Sequence, residues 1–473
     1  MLRSCVALAS CLAAALPVAA DAVDAYVRGV MEKKKIPGLA LVITRGGRTL
    51  KAEGYGFANL ELEAPATADT VFQSGSTGKQ FTAAGILLLA EDGRLDLDDR
   101  LSKHFPDAPS GWHRITIRHL LTHTSGLRDY EGGQDIDLRR DYDEDELLEV
   151  MMRLPLQFEP GTQWSYSNSG YLVLGILTSR LAGKHWSEFQ SERIFAPLGM
   201  GTTRVISEQD LVKNRAAGYV LDEHGAIKNQ DWVAPSLNRC ADGALYFTVK
   251  DLAAWEVALR DRGLLRASSY AAWWTPVALA NGTSYPYGFG WEIAEQRGRR
   301  LIEHGGSWQG FRAAIARYPD QDLGVAVLAN LDQAQPETMA HEIAGIVEPR
   351  LALPDPAGTL PEPDPTRAAR LREVLQAFAD ARPHPAMAKG LLDTASGSSR
   401  EAHQRRTTGR RAAGMTGFRL VGEDDLSARP LAWRGENVVR VVHYALDSGA
   451  GRHVYRFYLT KDGRVADFGS EER

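Results

Sequence analysis

The hydrophobic pattern changes period several times along the chain, and each change marks an element. "VDAYVRGVMEKKKI" reads as an amphipathic helix that stops at Pro37, since proline cannot continue it. "GLALVITRGGRTLKAEGYG" follows as two extended runs around Gly46-Gly47, the pattern of a β-hairpin. From Phe81 to Ala90 there is too little polarity for a surface helix, so the run predicts a buried one. Far along the chain, "FRAAIARYPDQDLGVAVLAN" predicts a second hairpin across Pro319-Asp320, followed by a helical stretch from Glu337 to Val347. Strand pairs at both ends of a segment whose middle, Ser76 to about Leu265, is mostly helical and loop-like predict an α+β domain with one antiparallel sheet closed late.

The pattern breaks at "LPDPAGTLPEPDP", where Pro354, Pro356, Pro361, Pro363 and Pro365 forbid regular helix and predict an extended linker over 349–366. Residues 367–473 then predict a small α+β C-terminal domain. It opens on a helix, "RAARLREVLQAFADA", crosses a polar tract and ends in strands "NVVRVVHYAL" and "HVYRFYLTKDGRVADF", the latter turning at Asp462-Gly463. Arg400, Arg405, Arg406, Arg410 and Arg411 cluster in the polar tract, but no aromatic side chains accompany them for base stacking, so they read as a solvated face or loose loop.

Composition narrows the function classes. A net charge of -5 gives no general attraction to nucleic acid. Residues 1–20 have the anatomy of a secretory signal: Arg3, a small apolar run from Val6 to Leu16, then small residues before Asp21. The mature chain is therefore expected to be exported, periplasmic or secreted. Anchoring as a lipoprotein at Cys11 ranks behind, because it would leave a very short apolar region and strand "LAAALPVAA" on the mature chain. Cys5 and Cys11 leave with the signal, so only Cys240 remains and no internal disulfide can form. No other run is long and apolar enough to predict a membrane span. The sequence leaves the oligomeric state open.

The candidate chemistry begins at "FQSGSTGKQFTAAGILLL". Its Gly-Lys pair suggests a phosphate loop, but Gln73 stands where the first glycine belongs and Gln80 where the metal-binding hydroxyl belongs. What remains is Ser76-Thr77-Gly78-Lys79 at the head of the buried helix, with lysine one turn after serine and on the same face. A serine hydroxyl is a weak nucleophile until a base takes its proton, and a lysine in an apolar setting is partly neutral. By itself the spacing favours the plainer reading, an N-cap serine with a first-turn lysine.

Three more stretches shift that balance: Tyr166-Ser167-Asn168 before another apolar helix, His304-Gly305-Gly306 at the start of a strand, and the His123-Thr124-Ser125-Gly126 turn. With S-x-x-K, these resemble the serine β-lactamase and penicillin-binding-protein superfamily, in its branch of class C β-lactamases, D-Ala-D-Ala carboxypeptidases and esterases. Its signatures S-x-x-K, Y-x-N and K-T-G or H-x-G occur in that order, and the resemblance covers about residues 21–348. It implies a β-lactamase/transpeptidase-like fold, with the antiparallel sheet flanked by helices and a mainly helical subdomain.

The resemblance also implies roles. Ser76 would attack a carbonyl and carry the acyl group, while Lys79 and Tyr166 move its proton; which of the two is the main base stays open. Asn168 would bind a substrate amide or orient Lys79, and His304 would bind a substrate carboxylate or tune Tyr166. Gly305 and Gly306 would let substrate lie against the strand edge, and the backbone N–H groups of Ser76 and Ser307 would form the oxyanion hole. "GALYFT" departs from the family pattern, with Ala244 and Phe247 expected to narrow the cleft. Glu159 belongs to a turn typical of this branch and is not assigned a catalytic role. His119 and His123 stand four apart, but Leu120 replaces the glutamate of a zinc-protease helix, so no metal or other cofactor is predicted. No G-x-S-x-G elbow occurs.

The predicted function is an exported serine hydrolase acting through an acyl-enzyme on Ser76 to cleave an amide, ester or β-lactam bond in a small-molecule or peptide substrate. The competing reading is a non-hydrolytic sensor or scaffold that binds cell-wall peptides; an intact set of proton-transfer groups favours the enzyme.

Overall fold

The structure is a computed structural model that describes residues 21–130, 135–207, 209–394, 399–428, 430–433, 435–449 and 451–472. The signal segment expected over 1–20 lies outside the described residues. The chain divides into two compact units, one of residues up to 275 with 287–352, the other of 276–286 with 353–473.

The first unit is built on a seven-stranded sheet. Its strands are β1 (Gly38–Arg45), β2 (Arg48–Asn59), β3 (Ala64–Pro65), β4 (Glu292–Gln296), β5 (Arg299–Trp308), β6 (Phe311–Tyr318) and β7 (Leu323–Ala329), in spatial order β4-β5-β6-β7-β1-β2-β3. Every neighbouring pair is antiparallel, and β1 joins β7 from the far end of the unit, with Leu39 opposite Ala329 and Ile43 opposite Val325. The first hairpin turns at Gly46-Gly47, both at positive φ, a conformation glycine adopts without a Cβ clash.

Both faces of the sheet are covered, which is why β1 and β7 read as unbroken apolar runs. Alternate residues of a strand point to opposite faces. Leu39, Leu41, Ile43, Val325 and Val327 pack towards helix α1 (21–34), while Ala40, Val42, Ala326 and Leu328 join the larger core on the other side. That larger core holds α2 (Lys79–Glu91), α3 (Ile117–Leu121), α4 (Glu144–Arg153), α5 (Asn168–Ala182) and α6 (Val249–Asp261); α7 (Pro336–Val347) joins α1 on the first face. Burying α2 is a hydrophobic argument at heart: Phe81, Ala83, Ala84, Ile86, Leu87 and Leu89 are almost wholly removed from water.

Asn330, just past β7, closes the sheet at the seam between chain ends. Its fully buried side chain accepts from Gly38 N at 2.7 Å and donates to Phe57 O at 3.1 Å and Ala58 O at 3.4 Å.

The second unit contains a sheet of β8 (Met415–Asp425), β9 (Leu431–Trp433), β10 (Glu436–Ser448), β11 (Gly451–Thr460) and β12 (Val465–Glu472), ordered β8-β10-β11-β12 with β9 paired to β10. Its core packs Leu371, Val374, Leu375 and Phe378 of α8 (Pro365–Ala379) against Phe418, Tyr444, Phe457 and Phe468. The polar tract includes helix α9 (Ser399–Ala413), with Arg406 and Arg410 exposed; a loose loop is not what forms there. The Pro-rich stretch is extended but not free, since Leu360 N donates to Leu420 O at 2.8 Å and Glu362 pairs with buried Arg367 at 2.9 Å. The hairpin at 276–286 belongs to this unit, and no pattern in the sequence marks that excursion.

Asn330→Ala leaves three backbone groups, Gly38 N and the Phe57 and Ala58 carbonyls, without this partner. It should lower the unfolding free energy of the first unit by about 2–4 kcal/mol, read as a shift of the urea midpoint at unchanged slope.

Candidate active site

Ser76 sits in a single 3-10 turn, Gly75–Gly78, at the head of α2. Between Thr70 and Leu89 it alone is not fully buried, so the fold presents one hydroxyl from an otherwise closed segment. Gly75, at φ +50°, makes the turn, and a Cβ there would come within 2.3 Å of Ser307 N. A Cβ on Gly306 would lie 2.2 Å from Ser74 O and 3.0 Å from Ser76 N. The backbones of the Ser76 turn and of β5 therefore touch, bringing the amides of Ser76 and Ser307 to the same place. Gly306 makes room for the turn that carries Ser76, and Gly305 makes room for the Glu337 carboxylate of α7, which would stand 1.9 Å from its Cβ. His304-Gly305-Gly306 also lies late in the ten-residue β5 and not at its start.

Lys79 is completely buried, and its ammonium spends all three of its donors. It donates to Ser76 Oγ at 2.9 Å, to Asn168 Oδ1 at 2.7 Å and to the Asp242 carbonyl at 2.6 Å. Asn168 is in turn oriented by Asp129, whose carboxylate accepts from Asn168 Nδ2 at 3.2 Å. Asp242 is held by Tyr130, whose hydroxyl donates to its carboxylate at 2.7 Å; burial raises the Asp242 carboxyl and Lys79 pulls it back. The sequence reading missed Asp129, Tyr130 and Asp242. "RDY" lies one residue past the His123–Gly126 turn, but Asp242 acts on Lys79 through its backbone, for which residue type gives no signal.

Tyr166 flanks this seat, its ring centre 5.0 Å from Lys79 Nζ and 4.3 Å from the His123 ring. Tyr171 and Tyr287 lie in the same cluster, but burial holds both phenols well above the usual range. Tyr166 is the half-buried one. His304 is buried; its Nδ1–H donates to Gly305 O at 2.5 Å, which fixes the tautomer and leaves Nε2 to accept from the Tyr287 hydroxyl at 2.9 Å. The His304 ring centre stands 6.3 Å from that of Tyr166.

Ser76, Asn168 and Ser307 line one narrow cleft, with Tyr130, Leu237, Asp242, Gly243 and Trp308 forming the rest of its wall. Ala244 and Phe247, expected to narrow it, do not: Ala244 is buried and Phe247 packs into the core against Phe81. Glu159 pairs with Arg114 at the surface. His119 caps α3 together with Thr116, and His123 Nδ1 accepts from Ser167 N at 3.1 Å.

A partly exposed serine hydroxyl beside a buried lysine, on a turn packed against the backbone of β5, is an arrangement for acyl transfer. Residues 23–347 match the family model Beta-lactamase. The chain belongs to that family. It is a serine hydrolase of the Beta-lactamase family. It is 31% identical to penicillin-binding protein 4* of Bacillus subtilis (strain 168) over 318 residues, 64% of this chain and 70% of that protein. It is also 31% identical to a D-aminopeptidase of Brucella anthropi over 324 residues, 66% of this chain but only 59% of the relative's length. Among solved structures, D-amino acid amidase from Ochrobactrum anthropi SV3, complexed with L-phenylalanine, superposes with a TM-score of 0.59 at 26% identity, over 71% of this chain and 97% of that one.

Two outcomes follow from this geometry. Lys79→Ala should slow acylation of Ser76 by at least about a hundredfold, the scale of a positioned proton-transfer group, in stopped-flow measurements with a chromogenic ester. Burial raises the Glu337 carboxyl from its ordinary 4.5 to about 7, with Glu303 and Glu292 adding to the rise and Arg312 opposing it. Between those values the folded chain holds a proton that the unfolded chain has released, so stability should fall as pH rises from about 4.5 to about 7. Glu337→Gln should flatten that slope in urea melts across the window.

Proposed function

We propose that this chain is exported and hydrolyses an amide bond next to a D-amino acid in a small substrate, through an acyl-enzyme on Ser76. One observation carries the reading: a fully buried lysine whose ammonium is shared among Ser76 Oγ, Asn168 Oδ1 and the Asp242 carbonyl. Names of the relatives, D-aminopeptidase and D-amino acid amidase, support the substrate class. The signal-like anatomy of residues 1–20 supports export.

In this mechanism Ser76 Oγ adds to the substrate carbonyl as its proton passes to the Tyr166 phenolate, or to Lys79 once that ammonium has given up a proton and is a neutral amine. The oxyanion is met by the N–H groups of Ser76 and Ser307. The same proton then goes to the leaving amine, and a water, deprotonated by the same groups, releases the acid. Asp129 and Asp242 act through Asn168 and Lys79 as positioning residues.

A hydrolysis panel tests the reading: a D-amino-acid amide, a D-alanyl peptide, a short ester and a β-lactam, with Ser76→Ala as control. Turnover should be greatest on the amide or peptide, and Ser76→Ala should lose at least about ten-thousandfold of it. A trapped acyl group on another serine, or full activity in Ser76→Ala, would overturn the assignment. Acylation without turnover on every substrate would favour the sensor reading.

A further inference from the structure

Away from Ser76 the first unit holds a second cavity, of about 190 Å³, between α4, α5 and the segment leading to Asp242. An engineered apolar cavity of about 150 Å³ suffices for benzene, so this space suits a molecule of that order. Its floor is apolar: Leu147, Leu172, Ile176 and Trp186 all line it and are buried.

Two opposite charges share its lining. Glu144 is half-buried; Ser179 donates to its Oε1 at 2.9 Å, and His185 Nε2 lies 3.9 Å from the same oxygen. Burial raises the Glu144 carboxyl, with Asp145 adding to the rise, against the opposing effects of Ser179, Arg239 and Arg180. Arg239 lies near enough to lower Glu144 and, after burial, to help push His185 down to about 4, so His185 is neutral near pH 7. The Arg239 guanidinium is exposed and makes no side-chain hydrogen bond or ion pair among the described residues. Its backbone, by contrast, is anchored, because its carbonyl accepts from Trp186 Nε1 at 3.0 Å.

A half-buried carboxylate without a strong cationic partner, an unpaired guanidinium and an apolar floor are complementary to one chemistry: an ammonium, a carboxylate and a small hydrocarbon group on the same molecule. We propose that this cavity binds a free amino acid with an apolar side chain, its ammonium on Glu144, its carboxylate on Arg239 and its side chain on Ile176 and Trp186. The site is separate from Ser76, and nothing in it depends on the substrate proposed above.

Isothermal titration with leucine of both hands tests this, using full-length protein whose Ser76 has first been blocked by a fluorophosphonate. Leucine of at least one hand should bind saturably at or below about 1 mM. Binding should weaken at least about tenfold for 4-methylpentanoate, which lacks the amine, and for 3-methylbutylamine, which lacks the carboxylate. Arg239→Ala and Glu144→Gln should each cause a similar loss, and Ile176→Trp should abolish binding by filling the floor. Arg239 is exposed, so its variant reads the site without disturbing the core. No saturable binding up to about 10 mM, binding seen only before Ser76 is blocked, or binding unchanged in Arg239→Ala would each overturn the proposal.

Discussion

The site depends on one buried cation. An ammonium taken fully out of water costs several kcal/mol unless every donor is matched, and removing one partner of such a group is strongly destabilising. Lys79 meets that demand with a hydroxyl, an amide oxygen and a backbone carbonyl drawn from three distant parts of the chain. Each acceptor is then held by something further back: Asn168 by Asp129, Asp242 by Tyr130, Ser76 by the turn that β5 presses against. The geometry around Ser76 is in this sense the solution to a solvation problem, and the proposed chemistry uses the same contacts.

Backbone contact does the rest of the positioning. The Ser76 turn lies directly on β5, and only glycine at 75 and at 306 permits that approach. Because β5 is held in a sheet buried on both faces, the amide of Ser307 has little freedom to move relative to Ser76. Alternation along β5 then divides its residues: His304 and Gly306 face the site, while Glu303 and Gly305 face α7.

Much of this was legible in the sequence because it depends on local pattern. The two hairpins, the buried helix after Lys79 and the final helix of the first unit follow from periodicity and turn residues, and the order of three short motifs brought Ser76, Lys79, Tyr166 and Asn168 to one place. What was not legible depends on side-chain direction and on tertiary partners. Phe247 departs from the family pattern yet turns into the core, so its effect on the cleft could not be read from its identity. The contacts of His304 with Tyr287 and Gly305 O come from the fold and could not be read from its motif. Asp129 and Asp242 lie far from Lys79 in sequence and belong to no motif, and the 276–286 hairpin joins the second unit without any break in composition.

The most direct measurement is a double-mutant cycle on the acylation rate, with Lys79→Ala, Asn168→Ala and the double variant. If Asn168 acts by holding Lys79, the double variant should acylate no more slowly than Lys79→Ala, so that the two losses fail to add by about the whole Asn168 effect. Losses that add within about 0.5 kcal/mol would contradict the account, since Asn168 would then act on the substrate independently and the lysine seat would not be the unit on which the site depends.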